Sequence, residues 1–163
     1  MPPMTDITEI GPRFVEMAHS IVWANVATVD TKGRPRTRVL HPLWQWDGAA
    51  LTGVIATSPN SVKRAHLDAT PYVSVGYWAA NQDTCTADCS VEWILDEAGR
   101  RAVWDAFAGA PEPVGYDPAI IPQWAAGPQS PDFAGLRLTP WRLRLMDGAV
   151  MTAGEGALLT WSA

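Results

Sequence analysis

The fold of this chain is decided by residues 33–67, which read GRPRTRVLHPLWQWDGAALTGVIATSPNSVKRAHL. Arg34, Arg36 and Arg38 alternate near the start of this stretch. If residues 33–44 form a strand, side chains two positions apart leave the same face, so the three guanidinium groups point together. The sequence therefore predicts a basic strand that forms one side of a hairpin.

The rest of the stretch completes the hairpin and adds a short helix. Asp47-Gly48 is a dipeptide that favours a tight turn, and residues 50–57 have the composition of the partner strand. A Ser-Pro-Asn-Ser run then ends the hairpin. Residues 61–69 are predicted to form a helix, because Ser and Asn are good N-caps and small apolar residues supply a buried face.

Positive charge is concentrated in this segment. Six of the twelve Lys and Arg residues lie within residues 32–67, although the chain has a formal net charge of -5. This concentration indicates a local anionic ligand, whereas nucleic acid or a membrane surface needs a broad basic field. Lys63 and Arg64 would lie in the first helical turn, where free N–H groups bind phosphate. Arg36 or Arg38 is placed to close over the same anion with a bidentate hydrogen bond.

Three motifs in and just after this stretch resemble the pyridoxamine 5′-phosphate oxidase-like family of FMN-binding split β-barrels. They are Gly-x-Pro-x-x-Arg-Val-Leu at residues 33–40, Ser-x-Lys-x-x-x-Leu at 61–67, and Asp-Ala-Thr-Pro-Tyr-Val-Ser-Val at 68–75. The resemblance extends over about residues 22–95, with a weaker echo at 136–146. It implies FMN as the cofactor and a homodimer that holds FMN in the groove between its subunits.

The resemblance also assigns roles to individual residues. It implies that Arg38 and Lys63 bind the FMN phosphate, that Val39 and Leu40 line the isoalloxazine ring with backbone groups, and that the end of the following strand touches the phosphate or the ribityl chain. The complete predicted cofactor site comprises Arg36, Arg38, Val39, Leu40, Thr57, Ser58, Ser61, Lys63 and Arg64.

The remaining pattern defines the fold class. Strand candidates at 21–29, 33–44, 50–57, 72–78, 84–95 and 136–146, mostly in sequential hairpins, predict a small, mostly β, antiparallel six-stranded barrel. The resemblance implies the split β-barrel type in a single domain spanning residues 1–163. Residues 149–152 are expected to pair back from a hairpin turn, and residues 157–161 are a possible further short strand. Helices are expected at 12–20 and 96–107, and residues 1–8 are expected to be frayed.

Residues 109–135 form a separate feature, because six prolines exclude long regular structure there. A loop of this length in a compact domain is usually functional or packs over something. Its apolar residues predict an ordered excursion with a short helical turn near residues 119–124.

The leading functional hypothesis is an FMN-dependent oxidoreductase acting on a small-molecule redox substrate, with no catalytic residue identified. His41-Pro42-Leu43 stands where the family oxidases place a lysine, which argues against true pyridoxamine phosphate oxidation. Three alternatives stay open. They are a deazaflavin (coenzyme F-420) reductase that also uses Arg34 and Arg36, a non-catalytic flavin-binding or stress-related protein, and a haem protein with a histidine ligand.

The sequence also argues against a metal site, a membrane span, a signal peptide and a disulfide. The histidines, His19, His41 and His66, lack metal-ligand spacing, so no metal site is expected. The chain has neither a long apolar stretch nor a signal-peptide pattern, which predicts a cytoplasmic protein with no membrane span. Cys85 and Cys89 lie too far apart along a strand to bridge, so both are expected to be buried and reduced.

Overall fold

The computed structural model describes residues 3–163, and within them eight strands and four α-helices follow one another. The strands are β1 (Ala24–Val29), β2 (Pro35–Leu40), β3 (Pro42–Trp46), β4 (Leu51–Thr57), β5 (Tyr72–Trp78), β6 (Thr84–Ile94), β7 (Ala134–Met146) and β8 (Leu158–Ser162). The helices are α1 (Ile7–Ile21), α2 (Lys63–Ala69), α3 (Glu97–Gly109) and α4 (Ala149–Thr152). Two 3₁₀ turns, Pro118–Ile120 and Pro122–Trp124, lie in the proline-rich excursion.

The sheet is antiparallel and rolled, but it does not close. Its strand order is β2-β1-β5-β6-β7-β4-β3, and β8 pairs with the second half of β7. The edge strands β2 and β3 are joined by His41 alone, so the two ends of the sheet must curl until they meet. No pairing joins β2 to β3 within the described part of the chain. The predicted antiparallel split β-barrel is therefore confirmed.

The strand predicted over residues 33–44 is in fact two strands, and the sheet has eight strands rather than six. Pro42 has no N–H to donate and stands at the first position of β3, where a proline is tolerated. It also restricts His41 to extended backbone, which allows the chain to pass from one edge of the sheet to the other. The tail strand β8 accounts for the second additional strand.

Three local predictions are wrong. Helix α1 begins at Ile7 rather than Pro12, because Asp6 accepts a hydrogen bond from the Thr8 N–H at 2.8 Å and caps it. The expected fraying fails for residues 4–8, since Met4 bridges to Thr160; Met1 and Pro2 lie outside the described residues. Residues 149–152 form the helical turn α4 instead of a strand.

Helix α2 begins two residues later than predicted and has no side-chain cap. Val62 occupies the cap position, and the Ser61 hydroxyl donates to the Ser58 carbonyl at 3.0 Å instead. The Asn60 amide donates to Asp132 in the excursion at 2.9 Å. The hydroxyl and amide groups of this turn are thus used to hold the loop rather than to cap the helix.

Two hydrophobic clusters stabilise the fold. Inside the barrel, Phe14 of α1 packs edge-on against Trp44 at 5.0 Å, and the Trp44 indole donates to the Tyr77 hydroxyl at 2.8 Å. Outside the barrel, Trp124 of the excursion packs edge-on against Phe133 at 5.0 Å. Trp124 also donates to the Asp132 carbonyl at 2.8 Å, so the excursion is ordered as predicted. Its single expected helical turn is resolved into the two 3₁₀ turns.

The buried Trp44–Tyr77 hydrogen bond gives a test of the barrel interior. We expect Tyr77→Phe to lower the free energy of unfolding by about 1–3 kcal/mol, because it leaves the buried Trp44 N–H without an acceptor. Tyr72→Phe is the matched control, since Tyr72 is exposed and should change the free energy by less than about 0.5 kcal/mol. Urea unfolding of both variants measures the difference, and equal midpoints would show that the bond does not stabilise the core.

Candidate functional site

A cavity of about 600 Å³ opens at the seam of the split barrel. One wall comes from the junction of β2 and β3, where Val39, Leu40 and His41 follow one another. Thr57 and Ser58, at the end of β4, border the same space because β4 pairs with β3. The seam that joins the two edges of the sheet is therefore also the place where the chain leaves an opening.

The proline-rich excursion supplies the facing wall. Its residues Pro113, Tyr116, Ile120, Ile121 and Trp124 line the cavity. The Tyr116 ring stacks on the imidazole of His41, with centroids 5.2 Å apart and planes 27° apart. The lining is mostly apolar and aromatic, which is the environment that planar organic ligands and cofactors require.

Lys63 is the buried cation beside this cavity. Its side chain is 8% exposed, and its ammonium group donates to the Ser61 hydroxyl at 2.7 Å. Ser61 in turn donates to the carbonyl of Ser58, which lines the cavity. Burial, and secondly the positive charge of Arg38, lower the pKa of Lys63 to about 8. No carboxylate among residues 3–163 pairs with it.

Arg38 is the second cation, and it also lacks a carboxylate partner in the described residues. Its Nη1 donates only to neutral oxygens, which are the Val26 carbonyl at 3.1 Å, the Thr28 hydroxyl at 2.8 Å and the Arg36 carbonyl at 3.3 Å. Burial, and then the charge of Arg36, lower the pKa of Arg38. Charges removed from water are normally paired, so the buried Lys63 and the half-buried Arg38, with no acid partner among residues 3–163, indicate a place for an anion.

The other arginines of the basic segment are held by acids. Arg34 and Arg36 share the carboxylate of Asp30, at 2.8 and 3.7 Å. Hydrogen bonds from the backbone and then the side chain of Arg34 lower the pKa of Asp30 to about 2. Arg64 pairs with Asp68 at 2.9 Å and lies 5.1 Å from the centre of the Trp93 ring. Within residues 3–163, these three arginines thus differ from Arg38 and Lys63, which have no carboxylate partner there.

The nine predicted site residues fall into three groups. Val39, Leu40, Thr57 and Ser58 line the cavity. Arg38, Ser61 and Lys63 form the cationic group next to it. Arg36 and Arg64 are bound to carboxylates instead. The role of each residue toward a cofactor stays a prediction.

Sequence reasoning missed most of the facing wall. Val22 and Trp23 line the cavity between α1 and β1, and the excursion adds five more residues. The signal was indirect: residues 109–135 combine prolines with large apolar side chains, which predicted that the segment packs over something. It did not indicate what the segment covers, because contacts that distant along the chain leave no local pattern.

The three histidines have different environments. The His19 Nε2 accepts a hydrogen bond from the Trp44 N–H at 2.9 Å, and the His66 Nδ1 lies 2.9 Å from the Thr28 hydroxyl. His41 is the histidine that lines the cavity. Burial lowers its pKa, partly offset by a hydrogen bond with the Val114 backbone, and its Nε2 is buried without a partner in the described residues.

Residues 3–163 contain neither a metal-binding cluster nor a helix that could span a membrane. No cluster of three or more His, Cys, Asp or Glu side chains in this range could hold a metal ion. None of the helices described there has the length and hydrophobicity needed to span a membrane. Cys85 and Cys89 are both buried and free of disulfides.

Comparison with known proteins gives matches at the level of structure. No family model matches the sequence, and no curated protein matches it either. Among solved structures, a Clostridium acetobutylicum protein related to general stress protein 26 of B. subtilis, of the pyridoxinephosphate oxidase family, is similar. The TM-score is 0.70 at 14% identity, over 97% of this chain and 96% of that one.

Two further solved structures are similar in fold. A pyridoxamine 5′-phosphate oxidase-related, FMN-binding protein from Nostoc punctiforme gives a TM-score of 0.63 at 18% identity, over 90% of this chain and 87% of that one. A heme binding protein from Mycobacterium smegmatis gives 0.60 at 19% identity, over 99% of this chain and 60% of that one. The chain therefore has the fold of the pyridoxamine 5′-phosphate oxidase-like split β-barrels, the family that its residues 33–75 resemble.

Proposed function

We propose that this protein binds FMN at the seam cavity and acts as an FMN-dependent oxidoreductase on a small-molecule substrate. The observation that carries the proposal is the pairing of two unlike features in one place. Arg38 and Lys63 are neighbouring cations that no acid in the described residues pairs with, and beside them lies an apolar cavity of about 600 Å³. A ligand that satisfies both features has an anionic end and a flat, uncharged ring, which describes FMN.

Each part of FMN has a counterpart in the chain. The phosphate would be held by Lys63 and Arg38, with the Ser61 hydroxyl beside the ammonium group. The isoalloxazine ring would lie against Val39 and Leu40, in a cavity whose size is within the usual range of about 300–1,000 Å³ for cofactor sites. Thr57 and Ser58 line the same cavity and would face the ribityl chain.

The protein's part in the reaction is binding, orientation and exclusion of water. Bound FMN would supply the hydride and electron transfer, which is chemistry that the cofactor itself provides. The apolar wall formed by the excursion would keep the ring out of water on that side. This division explains why the sequence shows no recognisable catalytic acid or base.

A second copy of the chain is proposed to complete the site. Three large apolar residues at the cavity, Trp23, Val39 and Ile120, are 61%, 59% and 69% exposed. Exposed apolar residues grouped around an open cavity mark an interaction surface, and a homodimer with the cofactor in its groove would cover them. Reduced, buried Cys85 and Cys89 suit the cytoplasm, where we place the protein.

Of two other cofactors, haem has a specific observation in its favour and a deazaflavin does not. A haem would find His41 at the cavity, and the Mycobacterium smegmatis neighbour is described as a heme binding protein. A deazaflavin has a longer anionic tail, but Arg34 and Arg36 already share Asp30, which leaves less charge for it. A non-catalytic flavin-binding protein would use the same FMN site without turnover.

The visible spectrum of the purified protein separates these cofactors. If FMN is bound, we expect an absorbance band at about 450 nm, and if a deazaflavin is bound, one at about 420 nm. If haem is bound, we expect a Soret band, and His41→Ala should abolish it. A protein that is colourless after incubation with FMN and removal of the unbound FMN would contradict the proposal. FMN binding without turnover of any electron donor would limit the function to cofactor binding.

The phosphate contacts are tested by comparing FMN with riboflavin, which lacks the phosphate. We expect Lys63→Ala and Arg38→Ala each to weaken FMN binding by roughly 10- to 100-fold, the loss of one charge-assisted hydrogen bond. Riboflavin binding should change by less than about threefold, because the ring site is untouched. Fluorescence titration measures both dissociation constants.

Arg101→Ala is the control for these substitutions, because Arg101 is an exposed arginine on α3 away from the cavity lining. It should leave both affinities unchanged. Equal losses for FMN and riboflavin in the Lys63 and Arg38 variants would contradict the assignment of the phosphate to these two residues.

Lys63 should stabilise the complex but destabilise the free protein. Burial lowers its pKa to about 8, below that of an exposed lysine, so its charged form is unfavourable in the folded state. The penalty is complete below about pH 8 and is relieved as pH rises toward the unfolded pKa of about 10.4. We therefore expect ligand-free Lys63→Met to be more stable than wild type at pH 7, by a margin that narrows toward pH 10.

Thermal unfolding of both proteins across this pH range measures the margin. The same variant should lose FMN affinity, so stability and binding move in opposite directions. A ligand-free Lys63→Met protein that is less stable than wild type at pH 7 would show that Lys63 is already satisfied by the protein.

A further inference from the structure

The guanidinium group of Arg38 is anchored on one side and free on the other. Nη1 makes all of its hydrogen bonds to the protein, with acceptors on Val26, Thr28 and Arg36. Nε and Nη2 have no hydrogen-bond partner among residues 3–163. Nε and Nη2 form one edge of the planar fork, which is the geometry that binds two phosphate oxygens at once.

The shortest of the three anchors leads to a buried pair of polar side chains. Thr28 on β1 is 2% exposed, and its hydroxyl accepts from Arg38 at 2.8 Å. The same hydroxyl lies 2.9 Å from Nδ1 of His66, which is 5% exposed. Three elements, β2, β1 and α2, are thereby connected through one oxygen atom.

The direction of the Thr28–His66 hydrogen bond follows from the donors available. An arginine only donates, so the Thr28 oxygen must accept from Arg38. The Thr28 hydroxyl proton then needs an acceptor, and His66 Nδ1 is the one within reach in the described chain. We assign the imidazole proton to Nε2 on this basis. Arg38 thus donates to Thr28, and Thr28 donates to His66.

The position of His66 links this chain of hydrogen bonds to the second cation. His66 lies three residues after Lys63 on α2, so the two side chains leave the same side of the helix. Both are buried against the sheet. The contact from Arg38 through Thr28 to His66 therefore fixes the basic strand relative to the helix that carries Lys63.

We propose that Thr28 and His66 are positioning residues for the anion site, which hold Arg38 so that its free Nε–Nη2 edge is ordered before the phosphate binds. This inference rests on the proposed function for its ligand. A long, flexible cation normally loses side-chain freedom on binding, and an arginine that is already ordered loses less. The pair would therefore raise the affinity for a phosphate without touching it.

Thr28→Val and His66→Leu test the proposal by removing the two hydrogen-bonding groups with little change of shape. The readout is the selectivity ratio, the riboflavin dissociation constant divided by that of FMN. We expect each variant to reduce this ratio by about 10-fold, which is less than Arg38→Ala because Nη1 keeps its two carbonyl anchors. Thr28→Ser and His66→Asn should restore it, since Ser keeps the hydroxyl and the Asn oxygen occupies the place of Nδ1.

The same substitutions in an Arg38→Ala background separate positioning from direct contact. If Thr28 acts through Arg38, Thr28→Val should have no further effect on the ratio once Arg38 is gone. If Thr28→Val still lowers the selectivity ratio about 10-fold in the Arg38→Ala background, the proposal is overturned, because Thr28 would then contact the ligand itself.

A measurement without ligand keeps the inference distinct from the proposed function. The rotation that exchanges Nη1 and Nη2 of Arg38 can be followed by nitrogen-15 NMR, with exposed Arg101 as the freely rotating reference. We expect slow rotation in wild type and Thr28→Ser, and rotation at least fivefold faster in Thr28→Val. Unchanged rotation in Thr28→Val would overturn the inference even if FMN binds, whereas loss of order without any FMN binding would contradict only the function.

Discussion

The single-residue connection between β2 and β3 is the constraint on which the rest of the structure depends. These strands lie at opposite ends of the sheet order, and only His41 separates them. The sheet must therefore roll until its edges meet, although no hydrogen bonds join them in the described residues. The junction brings Val39 and Leu40 next to the end of β4 and opens the cavity there. The same backbone junction therefore determines both the rolled shape of the sheet and the position of the cavity.

The second constraint is electrostatic. Arg34 and Arg36 meet an acid at Asp30, whereas the half-buried Arg38 and the buried Lys63 lie among neutral groups, and the charge of Arg38 adds to burial in lowering the pKa of Lys63. A folded protein keeps such an arrangement at a cost in stability, which is offset when an anion binds. The apolar cavity beside them restricts that anion to one that carries a flat ring.

Much of this was predictable from residues 33–75, because local patterns specified the basic strand, the hairpin turn and the following helix. The break at His41 was missed, since alternation runs through it and only the proline marks the change of sheet edge. Arg36 could not be told from Arg38 by spacing, because the folded hairpin brings Asp30 to it. Arg64 could have been, because Asp68 lies four residues further along the same helix, a spacing at which ion pairs form. The proline-rich excursion was predicted to be an ordered loop, but the sequence did not indicate that it lies against the cavity.

The central claim is that Arg38 and Lys63 share one phosphate while the attached ring fills the seam cavity. A crystal structure of the protein with FMN tests it most directly. The account predicts phosphate oxygens within about 3 Å of both the Lys63 ammonium and the free edge of the Arg38 guanidinium, with the ring against Val39 and Leu40. A flavin whose phosphate lies elsewhere, with both cations unchanged, would contradict it.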